Sequence, residues 1–436
     1  MKHTLLILLY LILLLTIGGL VILTPDWILL AVPLLVYFMA SILNQPKPVK
    51  LQVDRVITPK RVRPNIPVRV VVTIENQGEQ ITDFSAQELL PRGVQVKEGA
   101  TNLLAFLPAN GKLQLDYLFE APRGEYRRFL LKTEVQESFD GFEIQADVEE
   151  RSPILVYPET EPLTEIKIRP PHTRGFAGII LARRGGSGVN FFSIREYQPG
   201  DPLRQINWKV SSRGQQALYT NIFEQEQVAD VGIILDARQS LNLTKITKNA
   251  QGYRVKESLF EHSVQGAAAL SKRFIEDGHR VSLLVYGSGK KRVFPGYGKI
   301  QQRRILDALS SVKPVINFAL TNFDNLPVRF FPPKSQIVLI SPLLTEDVKF
   351  IRKMCIRGYS VLIISPNPIA FKSIETNDFD SLAYRLAMAE RTFVLRQVHQ
   401  IGAQVVDWHV HESLEQVLCR ASFRLQTSIQ RRRVWK

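Results

Sequence analysis

The run Val231-Gly232-Ile233-Ile234-Leu235-Asp236, followed by Ala237-Arg238-Gln239-Ser240, is apolar up to its aspartate and too short to be a helix. A run of that length without polar alternation is a strand covered on both faces, which is the habit of parallel sheets. The pattern recurs. Strands are expected at Val231 to Asp236, Arg280 to Tyr286, Gln336 to Ser341, Ser360 to Ser365 and Gln404 to His409. Amphipathic helical periods fill Ser258 to Asp277, Ile300 to Val312, Glu346 to Arg357, Ser381 to Ile401 and Glu412 to Arg431. Strands alternating with helices predict an α/β, Rossmann-like domain over residues 228–436, with helices on both faces of the sheet. The first strand is not followed by a G-x-G-x-x-G loop, which argues against a dinucleotide.

Upstream lies the stretch richest in specific chemistry, Phe191 to Arg213, FFSIREYQPGDPLRQINWKVSSR. Pro199-Gly200-Asp201-Pro202 offers a fixed φ, a residue free to take φ > 0 and an Asx side chain, so the chain is expected to reverse there. Around the turn stand Arg195, Glu196, Arg204, Lys209 and Arg213, with Tyr197 and Trp208 among them. Arginine forks next to carboxylates and aromatic rings make either a structural clasp or a waiting anion site. Arg204, three residues past the turn, is expected to pair with Asp201 or Glu196. Lys209 and Arg213 have no acidic neighbour before Glu224 and are expected to stay exposed for a partner.

Arg195-Glu196-Tyr197, Pro199-Gly200-Asp201, Arg204, Ile206, Trp208 and Arg213, then Phe223-Glu224-x-Glu226 and the strand ending in Asp236, resemble the signature of the domain-of-unknown-function-58 family. The resemblance fixes about ten positions in order. It implies a von Willebrand factor A-type domain behind a membrane hairpin and a β-sandwich, with a MoxR-type AAA+ ATPase as suspected partner, and it implies no established activity. Domains of that type hold a metal at an Asp-x-Ser-x-Ser strand end. Here the corresponding positions are Asp236, Arg238 and Ser240, so an arginine stands where the first hydroxyl belongs. A second strand that usually ends in Asp ends instead in Ile340-Ser341-Pro342. Two oxygen ligands are missing and a fixed cation opposes another positive charge, so no metal is expected and Asp236 is expected to pair with an arginine.

Nearer the amino terminus the organisation changes twice. Residues 47–158 alternate with period two, as in Val68-Arg69-Val70-Val71-Val72 and Lys112-Leu113-Gln114-Leu115, and Asn-, Pro- and Gly-bearing turns break the runs. That predicts an all-β sandwich. Arg123-Gly124-x-Tyr126 and Phe139-Asp140-Gly141-Phe142 resemble further family landmarks, although Glu137 stands where the family usually has Asp, and both read as structural turns. Residues 159–227 read as a linker that carries the signature segment. Its Gly185-Gly186-Ser187-Gly188 lacks the Gly-Lys-Ser/Thr ending of a phosphate loop and reads as a flexible connector.

Residues 1–46 hold two apolar runs, Thr4 to Leu23 and Trp27 to Leu43, separated by Thr24-Pro25-Asp26. Each is long enough to cross a bilayer, so a transmembrane helical hairpin is expected. Lys2 precedes it and Lys47, Lys50, Arg55, Lys60, Arg61 and Arg63 follow it, which puts both ends, and the soluble domains, in the cytoplasm at the cell membrane. The net charge of +15 is scattered, which suits an anionic membrane surface better than nucleic acid.

Cys355 and Cys419 form no metal or disulfide spacing, and His409 and His411, two apart on an expected strand, have only Asp407 as a further ligand type. No cofactor is implied. No G-x-S-x-G, H-E-x-x-H or triad is present, and nothing points to an enzyme. The expectation is a membrane-anchored interaction or scaffold protein. The alternatives are a metal-dependent hydrolase at the Asp236 edge and a nucleic-acid binder.

Overall fold

The computed structural model describes residues 3–23, 25–43, 50–91, 93–136, 143–150, 154–164, 174–213, 217–238, 242–248, 254–287, 291–315, 330–376 and 382–420. They divide into two units, Met1–Tyr157 and Pro158–Lys436.

In the first unit the apolar runs form helices His3–Ile22 and Pro25–Leu43, turned by Leu23 at φ 60°. They approach closely at Gly19, where a Cβ would meet Ile28 Cγ1 at 2.7 Å. Large side chains such as Leu20, Val21, Leu29 and Val36 are exposed on them. Among the described residues no helix is both long and apolar enough to cross a membrane. Side chains are described over 7–22 and 25–40 of the pair, stretches shorter than the ~20 residues a crossing takes.

The period-two region gives two four-stranded sheets. One is ordered Leu51–Thr58, Val68–Asn76, Lys112–Glu120, Gln95–Gly99, and the other Glu143–Glu150, Phe129–Gln136, Ile81–Leu89, Asn102–Leu107. Alternate residues Val68, Val70, Val72 and Ile74 meet Phe84, Phe119, Phe129 and Leu131 in one core. Within that core Arg55 of the first sheet contacts Glu88 of the second at 2.8 Å, both side chains fully buried, so an ion pair joins the sheets. The Tyr126 hydroxyl donates to the Pro122 carbonyl at 2.8 Å, a structural role for that landmark. The other, from Glu137 to Phe142, lies outside the described residues.

The second unit is built on a six-stranded sheet. We number its strands β1 (Asp230–Asp236), β2 (Arg280–Tyr286), β3 (Arg292–Gly296), β4 (Gln336–Ile340), β5 (Ser360–Pro366) and β6 (Gln404–Trp408). Their order is β3-β2-β1-β4-β5-β6, parallel throughout except for the antiparallel edge β3. β3 was not expected, because Pro295 and Gly296 mask a strand that only a sheet edge tolerates. Helices α1 (Leu259–Glu276), α2 (Gly298–Ser310), α3 (Asp347–Ile356), α4 (Pro368–Thr376) and α5 (Leu382–Gln400) flank the sheet. One core takes Ile233, Leu235, Val338 and Ile364 against α1, Ile305 and Leu309 of α2, and Phe371 of α4. The opposite core takes Ile234, Leu339 and Ile363 against Phe350 and Ile351 of α3 and Val398 of α5. Odd and even residues of one strand thus serve different cores, which is why the strand reads as continuously apolar.

The connector expectation is corrected. Residues Arg174–Glu196, Gly185 to Gly188 included, form a long strand antiparallel to Tyr219–Val228, with register shifts at Gly175/Ile180, Ala182/Gly185 and Gly186/Phe191. Glycines suit such irregularities because they adopt the bulged backbone without a Cβ clash. Of the final expected helix, 414–420 is helical, 412 and 413 precede it without helical structure, and 421–431 lie outside the described residues.

Candidate functional site

The order of strands reverses between β1 and β4, and the crevice at their carboxyl ends is where an open α/β sheet gathers ligands. Asp236 closes β1 and Ser341 follows β4, so both side chains arrive there. Between them lies the side chain of Arg238, only 4% exposed. Its Nε lies 2.9 Å from Asp236 Oδ1, and Nη2 lies 2.7 Å from Asp236 Oδ2. On its other side Nη1 and Nη2 donate to the two oxygens of Asp347 at 3.1 and 2.8 Å. One guanidinium therefore binds two carboxylates, each through both oxygens, in the fork geometry that lysine cannot supply.

Two carboxylates facing one cation leave a surplus of negative charge, and neutral donors meet it. The Ser341 hydroxyl donates to Asp236 Oδ2 at 2.7 Å, the Leu344 N–H to Asp347 Oδ2 at 2.8 Å and the Arg238 N–H to Asp236 Oδ1 at 3.1 Å. Burial pushes the Asp347 carboxyl above its ordinary range, against the pull of Arg238. Burial likewise works against the Arg238 charge, yet its hydrogen bonds to Asp236 and Asp347 prevail and raise its pKa. The loop carrying these donors is strained, with Leu343 at φ 64°. Beside it Gly287, at φ 94°, lets its chain pass the Arg238 N–H where a Cβ would sit at 2.8 Å. The space left by Asp236, Arg238, Asn242, Ser263 and Pro342 is about 10 Å³.

The pairing of Asp236 with Arg238 is the one expected from the sequence. Asp347 was not anticipated, since it joins the cluster from the first turn of α3, 109 residues away. Ser240 lies outside the described residues. Among the described residues no group of three or more His, Cys, Asp and Glu could hold a metal.

A second arginine fastens the other half of the strand edge. Arg391 of α5 donates to Asp407 Oδ1 at 2.7 Å, to the Ser365 carbonyl and hydroxyl at 3.0 Å each, and to the Pro342 carbonyl at 3.0 Å. Asp407, weighed from the sequence as a metal ligand beside His409 and His411, is thus engaged by Arg391. β6 ends at Trp408, so the two histidines are not on a strand as expected. His411 instead meets Lys245, whose ammonium lies 3.2 Å from His411 Nε2, 3.3 Å from Glu257 and 4.6 Å over the Phe371 ring. Burial lowers the pKa of His262, which stands edge-on to the same ring, and of His411. Nothing in the local sequence around Lys245 signals this cluster, because its members come from four separate segments.

The signature turn has a different character. Gly200 takes φ 107°, and Asp201 Oδ2 accepts from the Gln198 N–H at 3.0 Å, closing the expected reversal. Asp201 pairs with Arg195 at 2.6 Å, and Arg195 also donates to the Glu196 carbonyl at 3.0 Å. The Gln198 N–H first, then Arg195, lowers the Asp201 pKa. This corrects the expectation for Arg204: the 3-10 turn Leu203–Gln205 leaves Arg204 exposed, and Asp201 is engaged by Arg195 from the preceding strand. Next, Ile206 is buried and bridges to Thr220, while Asn207 caps the helical turn Trp208–Ser211 by accepting from the Val210 N–H at 3.1 Å. Tyr197 is half-buried and tied through its N–H to the Leu218 carbonyl. Glu196, Leu203, Trp208, Lys209 and Arg213 are exposed, Trp208 by 66%.

A family model described as "Protein of unknown function DUF58" matches residues 193–366. The match takes in the signature turn and the Arg238 cluster, and it stops before α5 and β6. The chain is 23% identical over 273 residues to the "Uncharacterized protein YeaD" of Bacillus subtilis (strain 168), across 60% of this chain and 62% of that protein. Among solved structures, the CARDB domain of a Pyrococcus furiosus protein is matched at 14% identity over 26% of this chain and 97% of that one, with a TM-score of 0.18. The GAE domain of GGA2p from Saccharomyces cerevisiae is matched at 15% identity over 26% and 96%, also with a TM-score of 0.18. Likenesses of that score carry no argument about fold or function.

Proposed function

We propose that this is a membrane-anchored, cytoplasm-facing interaction protein, and that its signature segment docks a protein partner. The observation that carries the reading is the pairing of exposed Leu203 and Trp208 with exposed Arg204, Lys209 and Arg213 on a short segment pinned from beneath. Tryptophan and arginine are the residues that anchor interfaces, and a segment already fixed by Arg195–Asp201, Ile206 and the Asn207 cap loses little entropy on binding. The basic rim suits an acidic partner surface. A MoxR-type AAA+ ATPase is the partner the family resemblance suggests.

The von Willebrand A-type reading of the α/β domain draws support from the sheet order and from Asp236 and Ser341 at its switch point. Against the hydrolase alternative stands Arg238, whose guanidinium fills the position between the two carboxylates that a catalytic cation would need. Membrane anchoring rests on the two helices of 20 and 19 residues, about 30 Å long each by helical rise, whose exposed residues are largely apolar.

Affinity purification of the full chain from gently solubilised membranes tests the docking reading. An AAA+ ATPase should co-purify with the parent chain and be lost with Trp208→Ala and with Lys209→Ala/Arg213→Ala, while melting stays unchanged. Capture that survives these substitutions would refute the assigned surface. Orientation is tested in a chain carrying Cys355→Ser and Cys419→Ser, with single cysteines at exposed Gln80 or Asp26. Labelling of intact cells by an impermeant reagent at position 80 but not at 26 would reverse the orientation.

A further inference from the structure

Helix α5 has two unlike faces. Arg391 and Val398, seven apart, are buried against the domain, and Ala387, Met388, Val394 and Leu395 beside them are half-buried. The opposite face carries Leu382, Leu386 and Phe393, exposed by 81%, 61% and 60%, with exposed Ala389 between the last two. A helix of a folded domain normally turns such side chains inward, and here the inward face is already occupied by others.

The spacing of the exposed residues is 4, 3 and 4, over 382, 386, 389 and 393. That is a heptad seam, with Leu386 and Phe393 at a and Leu382 and Ala389 at d. Arg391 and Val398 then fall at f, directly away from the seam, which agrees with their burial in the domain. Arg385 falls at g and Glu390 at e, five residues on, and both are exposed. In a parallel pair of helices a g residue of one strand faces the following e residue of the other. Arg385 of one copy would therefore meet Glu390 of a second copy, twice by the two-fold symmetry. An antiparallel pair sets g against g and e against e, bringing Glu390 towards Glu390. The charges thus favour one occupant in one direction.

We propose that α5 is a self-association surface through which two copies of this chain pair in parallel, with Leu382, Leu386, Ala389 and Phe393 in the seam and Arg385–Glu390 contacts across it. The helix is already held by its own domain, so pairing carries no cost of helix formation. Arg396 and Gln400 occupy the next d and a positions, so the seam ends after two turns beyond Leu386. An interface of that length is small, and the dimer is of the weak, concentration-dependent kind. α5 lies outside the residues matched by the family model, and the inference stands apart from the partner-docking reading.

The test is sedimentation equilibrium of the full chain in detergent over a range of protein concentrations. The parent should form a reversible dimer. Leu386→Asp and Phe393→Asp should abolish it without changing the melting temperature, because both residues are exposed. Arg385→Glu alone and Glu390→Arg alone should each weaken it at least about tenfold, since each places like charges opposite one another at two contacts. The double substitution should restore it. In a chain with Cys355→Ser and Cys419→Ser, Ala389→Cys should cross-link to its own counterpart through a short bismaleimide. A parent that stays monomeric overturns the proposal and leaves this face to another protein. So does a dimer that survives Leu386→Asp, since the copies then meet elsewhere, and so does a dimer that the double charge swap fails to restore.

Discussion

Arg238–Asp236 at the sheet edge and Arg195–Asp201 at the signature turn are nearly the same contact, 2.7 against 2.6 Å. Their surroundings differ. The first arginine is 4% exposed and holds a second carboxylate, while the second is 38% exposed and its partner Asp201 16%. In water the charges of an exposed pair are already satisfied, so holding them together contributes little. In the interior neither charge has water to return to, and removing one partner strands the other. Burial, and not contact length, decides which of the two arginines the fold depends on. The exposed pair shapes a surface and the buried cluster closes one.

The sharpest way to break this comparison is Arg238→Ala, which leaves Asp236 and Asp347 buried without their shared cation. It should lower stability by roughly 3 to 5 kcal/mol, read by thermal or denaturant unfolding. Arg238→Lys should recover only part of that loss, because an ammonium cannot bind both carboxylates in two-point fashion. A variant as stable as the parent would show that the cluster is not the closed structural centre described here.

A smaller effect comes from a buried group that has no opposite charge beside it among the described residues. His279 accepts from the Ala229 N–H at 3.4 Å, and burial pushes its pKa down to about 4. Because the folded value lies below the unfolded one, near 6.5, the unfolded chain takes up the proton first. The stability held by the neutral imidazole is thus fully present above about pH 6.5 and is lost as pH falls through about 4. Comparing urea midpoints at pH 7 and 4.5, the parent should lose on the order of 2 kcal/mol more than His279→Gln. Equal losses in the two chains would remove His279 from the account.

Least should happen at the turn. Arg204→Ala should leave the melting temperature close to that of the parent, since it removes an exposed side chain, and Asp201→Ala should lower it only slightly, since it breaks a partly exposed pair and the turn hydrogen bond from Gln198. Partner capture should fall. A marked destabilisation by Arg204→Ala would place a buried contact where the structure has none among the described residues.

What could be read from the residues divides along similar lines. Short strands such as Val231 to Asp236 were legible because burial on both faces leaves an uninterrupted apolar run. The strand Arg292–Gly296 was hidden by the proline and glycine that its edge position permits. Helix α4 escaped because its signal is a cap, not a period: Asn367 Oδ1 accepts from the N–H groups of Ile369 and Ala370 at 3.0 Å each, ahead of Pro368. At the strand edge, Arg238 was conspicuous as a departure from an oxygen-rich pattern, whereas Asp347 was invisible because only the folded chain brings α3 to β1. The misreading of Arg204 has the same root. Three residues from Asp201 seemed near enough to pair, but the 3-10 turn carries the side chain outward while Arg195 approaches from the neighbouring strand.

A cation that belongs to the chain itself differs from a bound one in having no dissociation equilibrium. No chelator can withdraw the guanidinium of Arg238, no rise in divalent ions can increase its occupancy, and no ligand can complete its coordination from outside, because both carboxylates are already engaged. A site that depends on a metal can be switched by ion supply. An edge closed by arginine keeps its cation in every ionic medium in which the domain stays folded.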